Sequence, residues 1–267
     1  MRNAGLSSAI RLDDKLTDID AVAGWRRWLA QDAQRGRGLL ISRPVDANAS
    51  PAPGEAAHAA LLRHPGLARV LEARVDSAGL RVVEEIGSSH ALNDRRCRLP
   101  RGDALALQLL RLLEALAYLH REGQSHGALS RTTIFCDGKR LTLTGSVLRA
   151  GARAMPSADV RDWSELTAEL LRRAPGGERT ELVREAARQA LVALDDGRTL
   201  NAVRVAHAVH RALGAEEHVV EPVAKPATAS ARAETDESES YAAPRSRGMQ
   251  IAGSIARGAL TTLLTIA

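Results

Sequence analysis

The sequence predicts an α+β fold with two lobes, a small β-rich N-terminal lobe and a mainly α-helical C-terminal lobe, followed by a disordered tail. Short alternating apolar runs divided by turn residues fill residues 25–87, which is typical of β-hairpins. Apolar stripes at spacings of three and four fill residues 101–213, which is typical of amphipathic helices. From residue 215 the composition changes to Pro, Ala, Ser, Thr and Glu, which is typical of disorder.

The composition limits the class of protein and its partners. The chain has 267 residues, enough for one two-lobed domain with a tail, and only 2% aromatic residues, so its core must be built from Ala, Leu and Val. The net charge of +5 comes from arginines that alternate with acidic residues along predicted helices. Because no long basic run is present, we expect no nucleic-acid partner.

The cysteines and histidines indicate no disulfide and no metal site. Cys97 and Cys136 have no CxxC partner and no obvious mate, and the N-terminus has no apolar signal-peptide core, so we expect a reducing, cytoplasmic setting. His207 and His210 lie three residues apart on one predicted helix, but no Cys or carboxylate lies nearby as a third ligand. We therefore predict neither a metal nor a cofactor.

The N-terminal elements follow in order. Residues 1–24 form an extension with at most a short strand around Ile19, and Trp25 to Ile41 alternates around Gly36 and Gly38 as a β-hairpin. A breaker-rich loop at residues 46–54 leads to further predicted elements. These are a helix from Glu55 to Leu62 that ends at His64 to Gly66, and a second hairpin formed by Leu67 to Val75 and Leu80 to Ile86.

The C-terminal lobe is predicted to be built on one helix, Arg101 to Glu122, whose leucines recur at three and four and which Gly123 ends. Two short runs, FCDG and LTLTG, form a small hairpin after it. Three further helices are expected: one opened by Ser157 to Asp159 and running to Leu171, one from Thr180 to Leu194, and one from Leu200 to Leu213.

This order of elements, with the sequence HGALSRTTI at His126 to Ile134, resembles the C-lobe of a protein kinase, and in particular bacterial Ser/Thr kinase domains with a reduced N-lobe and activation segment. The resemblance implies a kinase-like N-lobe at residues 25–87 and a C-lobe at residues 88–214. It places the catalytic loop at His126 to Ile134 and the adenine-binding hinge at Glu84 to Ile86. The family's essential helix Glu falls at Glu55.

At the positions that the resemblance assigns to phosphoryl transfer, the required chemical groups are missing. The third-strand Lys is Ser42, the catalytic base is Ala128, the Mg²⁺-binding Asn is Thr133, and the Asp of the Asp-Phe-Gly motif is Thr144. No glycine-rich phosphate loop precedes Trp25. Because catalysis of this reaction consists mainly of positioning and charge stabilisation, we predict no catalytic, cofactor-binding or metal-binding residue.

The resemblance also implies architectural roles for residues that remain. Asp159 is similar to the family Asp that braces the catalytic-loop backbone, and a helix N-cap is an equally open alternative. Arg198 is similar to the Arg that braces the activation segment. His126 is interpreted as a packed core histidine, and Glu55 as a solvated or capping carboxylate. The architectural positions are His126, Leu129, Ile134, Asp159 and Arg198.

The sequence therefore predicts a catalytically inactive pseudokinase that acts as a scaffold or regulatory module for a protein partner. The alternative is a kinase-fold enzyme with an atypical nucleotide site, for instance Glu55 and Glu84 with a displaced cation. A third interpretation, an α-helical adaptor with a chance match, requires that both N-terminal hairpins be absent.

The tail contains a predicted disordered linker at residues 215–247 and an apolar helix at residues 248–267. Arg245, Arg247 and Arg257 precede the apolar run from Ala259 to Ala267, which fits the excess of cations on the cytoplasmic flank of membrane segments. We expect a membrane-directed segment, either interfacial or the beginning of a span, that tethers the protein to the inner face. The alternative is a helix that docks on the domain or on a partner.

Overall fold

The structure is a computed structural model. It describes residues 17–22, 24–46, 51–76, 79–147, 155–172 and 174–214. The predicted linker and the predicted apolar helix both lie outside the described residues. Within the described ranges, no helix is long and apolar enough to cross a bilayer.

The N-terminal lobe is a five-stranded antiparallel sheet with one helix. Its elements are β1 (Thr17–Val22), β2 (Trp25–Gln31), β3 (Gly38–Pro44), α1 (Pro53–Leu61), β4 (Arg69–Asp76) and β5 (Gly79–Gly87), with strand order β1-β2-β3-β5-β4. Both predicted hairpins are present, so the interpretation as a purely helical adaptor is wrong. Strand β1 pairs with β2, so the sheet begins within the segment predicted to be an extension.

Alternating side chains place apolar residues on both faces of this sheet. Trp25, Val70 and Val82 form a buried cluster with Ala56 and Ala59 of α1. Neighbouring positions along the strands supply a second cluster, formed by Ala30, Leu39, Ile41 and Val83. Strands β3 and β5 carry buried residues on both faces and lie in the interior of the sheet, between β2 and β4.

The C-terminal lobe is mainly helical. Its elements are β6 (His90–Ala91), α2 (Asp103–Arg121), β7 (Ile134–Cys136), β8 (Leu141–Leu143), α3 (Pro156–Leu171), α4 (Glu178–Asp195) and α5 (Ala202–Ala212). Strands β6, β7 and β8 form a small sheet in that order. The leucine stripe of α2 is fully buried among the other helices, and the Trp163 indole N–H on α3 donates to the carbonyl of Leu109 at 2.9 Å. The predicted central helix is thus the core of this lobe.

The two lobes are joined where the chain enters β4. The Leu143 N–H donates to the Gly66 carbonyl, and the Ala68 N–H donates to the Leu143 carbonyl, each at 2.8 Å. A Cβ on Gly66 would lie only 2.9 Å from the backbone oxygen of Arg111 on α2, so glycine permits this close approach. The N-terminal sheet is therefore fixed on the C-terminal lobe at this position.

Candidate functional site

The loop from His126 to Ile134 lies between α2 and β7, and Asp159 holds its backbone. Asp159 is fully buried on α3; its Oδ2 accepts from the His126 N–H at 2.8 Å and its Oδ1 accepts from the Gly127 N–H at 2.6 Å. The N-cap alternative for Asp159 is wrong, because α3 begins at Pro156 with Met155 in the cap position. Asp159 braces the loop, as the resemblance implied.

A second partner of Asp159, His120 on α2, is a site residue that the sequence analysis missed. The Nε2 atom of His120 lies 2.9 Å from Asp159 Oδ2, while Nδ1 accepts the Ala202 N–H at the start of α5 at 3.0 Å. Because Nδ1 is an acceptor, Nε2 carries the proton and donates it to the carboxylate. One imidazole thereby links α2, α3 and α5.

The pKa of Asp159 reflects these contacts. Burial raises the pKa, but the hydrogen bond from His120, the charge of His126 and the two backbone N–H groups outweigh burial and hold the pKa of Asp159 below its usual value. The carboxylate is therefore ionised at neutral pH and is stabilised by donors from two elements.

The hydroxyl groups at the two metal-binding positions of the family are directed at the loop backbone. Thr133 Oγ1 accepts the Ser130 N–H at 2.9 Å and donates to the Ala128 carbonyl at 3.1 Å. Thr144 Oγ1 donates to the Thr133 carbonyl at 2.9 Å. In the part of the chain that the structure describes, no group of three or more His, Cys, Asp or Glu residues forms a potential metal site. These hydroxyls stabilise the loop.

Arg27 on β2 is a buried cation that the sequence analysis also missed. Its side chain is only 1% exposed, and it pairs in register with Ser42 on β3, the position of the family's third-strand Lys. Arg27 Nη1 donates to the Thr132 carbonyl at 2.9 Å, and Nη2 donates to Thr144 Oγ1 at 3.3 Å. The signal that could have found it is the strand alternation, which places Arg27 on the same face as the buried Trp25.

Glu84 lies in the same region, fully buried on β5. Its Oε1 accepts the Gly145 N–H at 2.8 Å, and its Oε2 has no hydrogen-bond partner among the described residues. Burial raises the pKa of Glu84 to about 7, while the Gly145 N–H and the charge of Arg27 act in the opposite direction. We name Arg27, Glu84, Thr132, Thr144 and Gly145 the cleft cluster, since their contacts join the N-terminal sheet to the loops of the C-terminal lobe.

The predicted adenine hinge at Glu84 to Ile86 is wrong for its first two residues. Glu84 and Glu85 lie inside β5, where they pair with Leu40 and Leu39 of β3 on one side and with β4 on the other. A strand bonded on both sides has no free backbone edge to hold a ligand ring. The hinge was predicted because the residues Glu84, Glu85 and Ile86 follow an apolar run, and the end of a strand has this same sequence pattern.

The remaining predicted site residues are not brought to one site. Glu55 is exposed and its Oε2 accepts the Ala52 N–H at 3.1 Å, so its interpretation as a capping carboxylate is confirmed. His126 is buried, as predicted, with Nε2 2.8 Å from the Thr144 carbonyl oxygen. Arg198 is exposed between α4 and α5, whereas Leu129 and Ile134 pack in the C-terminal core.

The segment after Thr144 enters the N-terminal lobe. Val147 is fully buried in the cluster formed by Trp25, Val82 and the alanines of α1. Together with the Glu84 contact to Gly145, this packing places the position of the family's Asp-Phe-Gly motif directly under the sheet. The segment after β8 therefore packs directly against the N-terminal sheet.

No protein-family model and no curated protein matches the chain. Among solved structures, it is similar to the kinase domain of PknI from Mycobacterium tuberculosis, with 17% identity and a TM-score of 0.50, over 78% of this chain and 99% of that chain. A cysteine-to-alanine variant of that domain matches with 17% identity and a TM-score of 0.48, over 77% of this chain and 98% of the other. The sheet, the helices and the similarity to the first of these domains together show that this chain has a two-lobed, protein kinase-like α+β fold.

Proposed function

We propose that the chain is a catalytically inactive pseudokinase that serves as a scaffold or regulatory module for a protein partner. The observation that carries this proposal is the cleft cluster, in which polar groups bond one another where a kinase would present them to nucleotide and metal. Arg27 bonds the Thr132 carbonyl and the Thr144 hydroxyl, and Glu84 accepts from the Gly145 N–H.

The chemistry at the remaining positions supports the same proposal. Phosphoryl transfer needs a held nucleotide, ligated Mg²⁺ and an oriented acceptor hydroxyl. Ala128 has no proton acceptor in its side chain, and the Thr133 hydroxyl is engaged with the loop backbone. Neither residue is the carboxylate or amide ligand that Mg²⁺ prefers.

The energetics of the cleft cluster disfavour nucleotide binding. A nucleotide that entered between the sheet and the loops would separate Arg27 and Glu84 from their partners, which costs about 1.5–3 kcal/mol for each lost hydrogen bond to a charged group. Since each 1.4 kcal/mol is tenfold in affinity, the loss of two such bonds weakens a micromolar site to roughly millimolar. The proposal thus follows from contacts that are present as well as from residues that differ from the family.

We predict that ATP binds with no better than millimolar affinity and that Mg²⁺ or Mn²⁺ does not improve binding. Isothermal titration and thermal shift with ATP, with and without each metal, measure this directly. A radiolabel transfer assay on the chain itself and on generic substrates is expected to give no labelling. Micromolar, metal-dependent binding, or labelling that Glu84→Gln abolishes, would instead support the enzyme alternative.

As a scaffold, the domain presents its surface to a partner. Residues 215–247 act as a flexible linker, and residues 248–267 tether the domain to the inner face of the membrane. We predict that the full chain is found in the membrane fraction of expressing cells and that deletion of residues 248–267 releases it. Immunoblots of the membrane and soluble fractions measure the distribution. A full chain that stays in the soluble fraction contradicts the tether and leaves the inactive-cleft proposal untouched.

A further inference from the structure

Cys97 and Cys136 are neighbours in the fold, although the sequence offers no mate for either. Cys136 is the last residue of β7, and Cys97 lies in the segment between β6 and α2. The Cys136 thiol reaches the backbone carbonyl next to Cys97, and the two thiols are close enough to shift each other's pKa. The two side chains are therefore neighbours in the fold, although α2 and the loop from His126 lie between them along the chain.

Hydrogen bonds hold the backbone around both cysteines. The Cys136 thiol donates to the carbonyl of Arg98, the residue after Cys97, at 3.3 Å, and its sulfur accepts the Gly138 N–H at 3.3 Å. His90 of β6 pairs with Cys136, and the Leu92 N–H donates to the Ile134 carbonyl at 3.0 Å. The segment that carries Cys97 is thus anchored to the same strand that carries Cys136.

We propose that Cys97 and Cys136 form a reversible intramolecular disulfide, which locks the segment before α2 onto the β7 and β8 hairpin. Cys97 is half-buried and is reached first by a small oxidant, while Cys136 is only 1% exposed and reacts second. This site is independent of the proposed function, since neither cysteine belongs to the cleft cluster.

With hydrogen peroxide as the oxidant, the step balances as follows. The Cys97 thiolate attacks one peroxide oxygen, the O–O bond breaks, and hydroxide leaves to take the proton that the thiol released, which gives water and a sulfenic acid. The Cys136 sulfur then attacks the Cys97 sulfur, the S–O bond breaks, and a second water leaves with the Cys136 proton. The two thiols lose two electrons, and the peroxide is reduced to two waters.

The surroundings make this oxidation slow at neutral pH. The pKa of Cys97 is raised to about 11, mainly by burial and also by the neighbouring Cys136 and Asp94, while Arg98 acts in the opposite direction. Burial also raises the pKa of Cys136, as does the charge of Asp137. Because the thiolate is the nucleophile, the rate with peroxide is expected to rise about tenfold per pH unit between about pH 7 and 9.

The disulfide would close a covalent ring of residues 97–136. This ring contains α2 and the segment from His126 to Ile134 that Asp159 braces. Such a cross-link restricts the unfolded chain, and for a domain of this size it is expected to raise the melting temperature by about 5–10 °C. The oxidised protein should therefore melt higher than the reduced protein, and dithiothreitol should reverse the difference.

The test is treatment of the purified full chain with hydrogen peroxide, followed by thiol titration under denaturing conditions and by peptide mass mapping. We expect both thiols to disappear in a monomeric product. Trypsin should then release Cys97 and Arg98 joined to the peptide Thr132 to Lys139, with the mass of both peptides less two hydrogens.

Cys97→Ser is the matched control, because this half-buried position tolerates the change and the variant cannot form the bond. Its melting temperature should not rise with peroxide, and Cys97→Ala should behave in the same way. The proposal is overturned if wild-type chains link into dimers, if Cys97 gains oxygen without the joined peptide, or if both thiols remain titratable after treatment at pH 9.

Discussion

Asp159→Ala is expected to lower the free energy of unfolding by about 3–5 kcal/mol, because removal of one partner from a buried charged network leaves the other groups unpaired. The groups affected are the His126 and Gly127 N–H and the His120 imidazole. Urea unfolding followed by tryptophan fluorescence measures the change. In the variant, amide hydrogen exchange should accelerate more at His126 and Gly127 than in the helix cores. This difference would show that the lost stability comes from the loop.

Asp162→Asn on the same helix is the matched control for Asp159. The pKa of Asp162 is raised to about 6, mainly by burial and also by repulsion from Asp159 and Glu165. The fold therefore disfavours the charged form of Asp162, whereas it stabilises the charged form of Asp159. We therefore expect Asp162→Asn to be neutral or slightly stabilising at pH 7. Asp159→Asn, which retains one acceptor oxygen, should be intermediate; equal stability of Asp159→Ala and wild type would contradict the bracing role.

The second large effect is expected at Glu84, as a change in the pH dependence of stability. Its folded pKa of about 7 lies above the ordinary value of 4.5, so the folded state binds a proton more tightly than the unfolded state. The contribution of Glu84 to the free energy of unfolding is fully present below about pH 4.5 and is lost as the pH rises through about 7. Glu84→Gln removes the titration, and its stability relative to wild type should rise by roughly 3 kcal/mol across that window.

Urea unfolding of both proteins at intervals from pH 4 to 8 measures this difference. Glu122→Gln removes one carboxyl from the exposed end of α2 and controls for the change in net charge. Arg27→Met should destabilise the fold at pH 8 more than at pH 5, because Arg27 faces the charged form of Glu84 only at the higher pH. Parallel stability curves for wild type and Glu84→Gln from pH 4 to 8 would show that Glu84 does not titrate in the cleft cluster.

Most of the fold could be predicted because its signals are local. The alternation around Gly36 and the leucine stripe of α2 are short-range patterns that place a strand pair and a helix within a few residues of their observed bounds. Element ends were less well placed: the helix predicted to begin at Ser157 begins at Pro156, and β1 extends the sheet into the predicted extension.

At the candidate site, the burial of His126 could be predicted from the sequence, and bracing of the loop by Asp159 was one of two alternatives. Ala128 has no side-chain proton acceptor in any fold, so this property follows from its identity alone. The bonds made by Arg27, Glu84 and His120 could not be predicted in the same way. Each joins residues from elements far apart in the chain, and no periodic pattern specifies such a pair.

The sequence by itself determined the two-lobed α+β class, the order of elements and the residue types at the positions that the resemblance assigns to catalysis, because residue identity and periodicity are properties of single segments. Only the tertiary structure decided that Asp159 braces the loop and does not cap a helix, that Glu84 is buried inside a strand and not exposed at a hinge, and that the Cys136 thiol lies against the backbone next to Cys97. The physical reason is that bracing, burial and thiol contact are relations between distant segments, which are set by packing of the lobes.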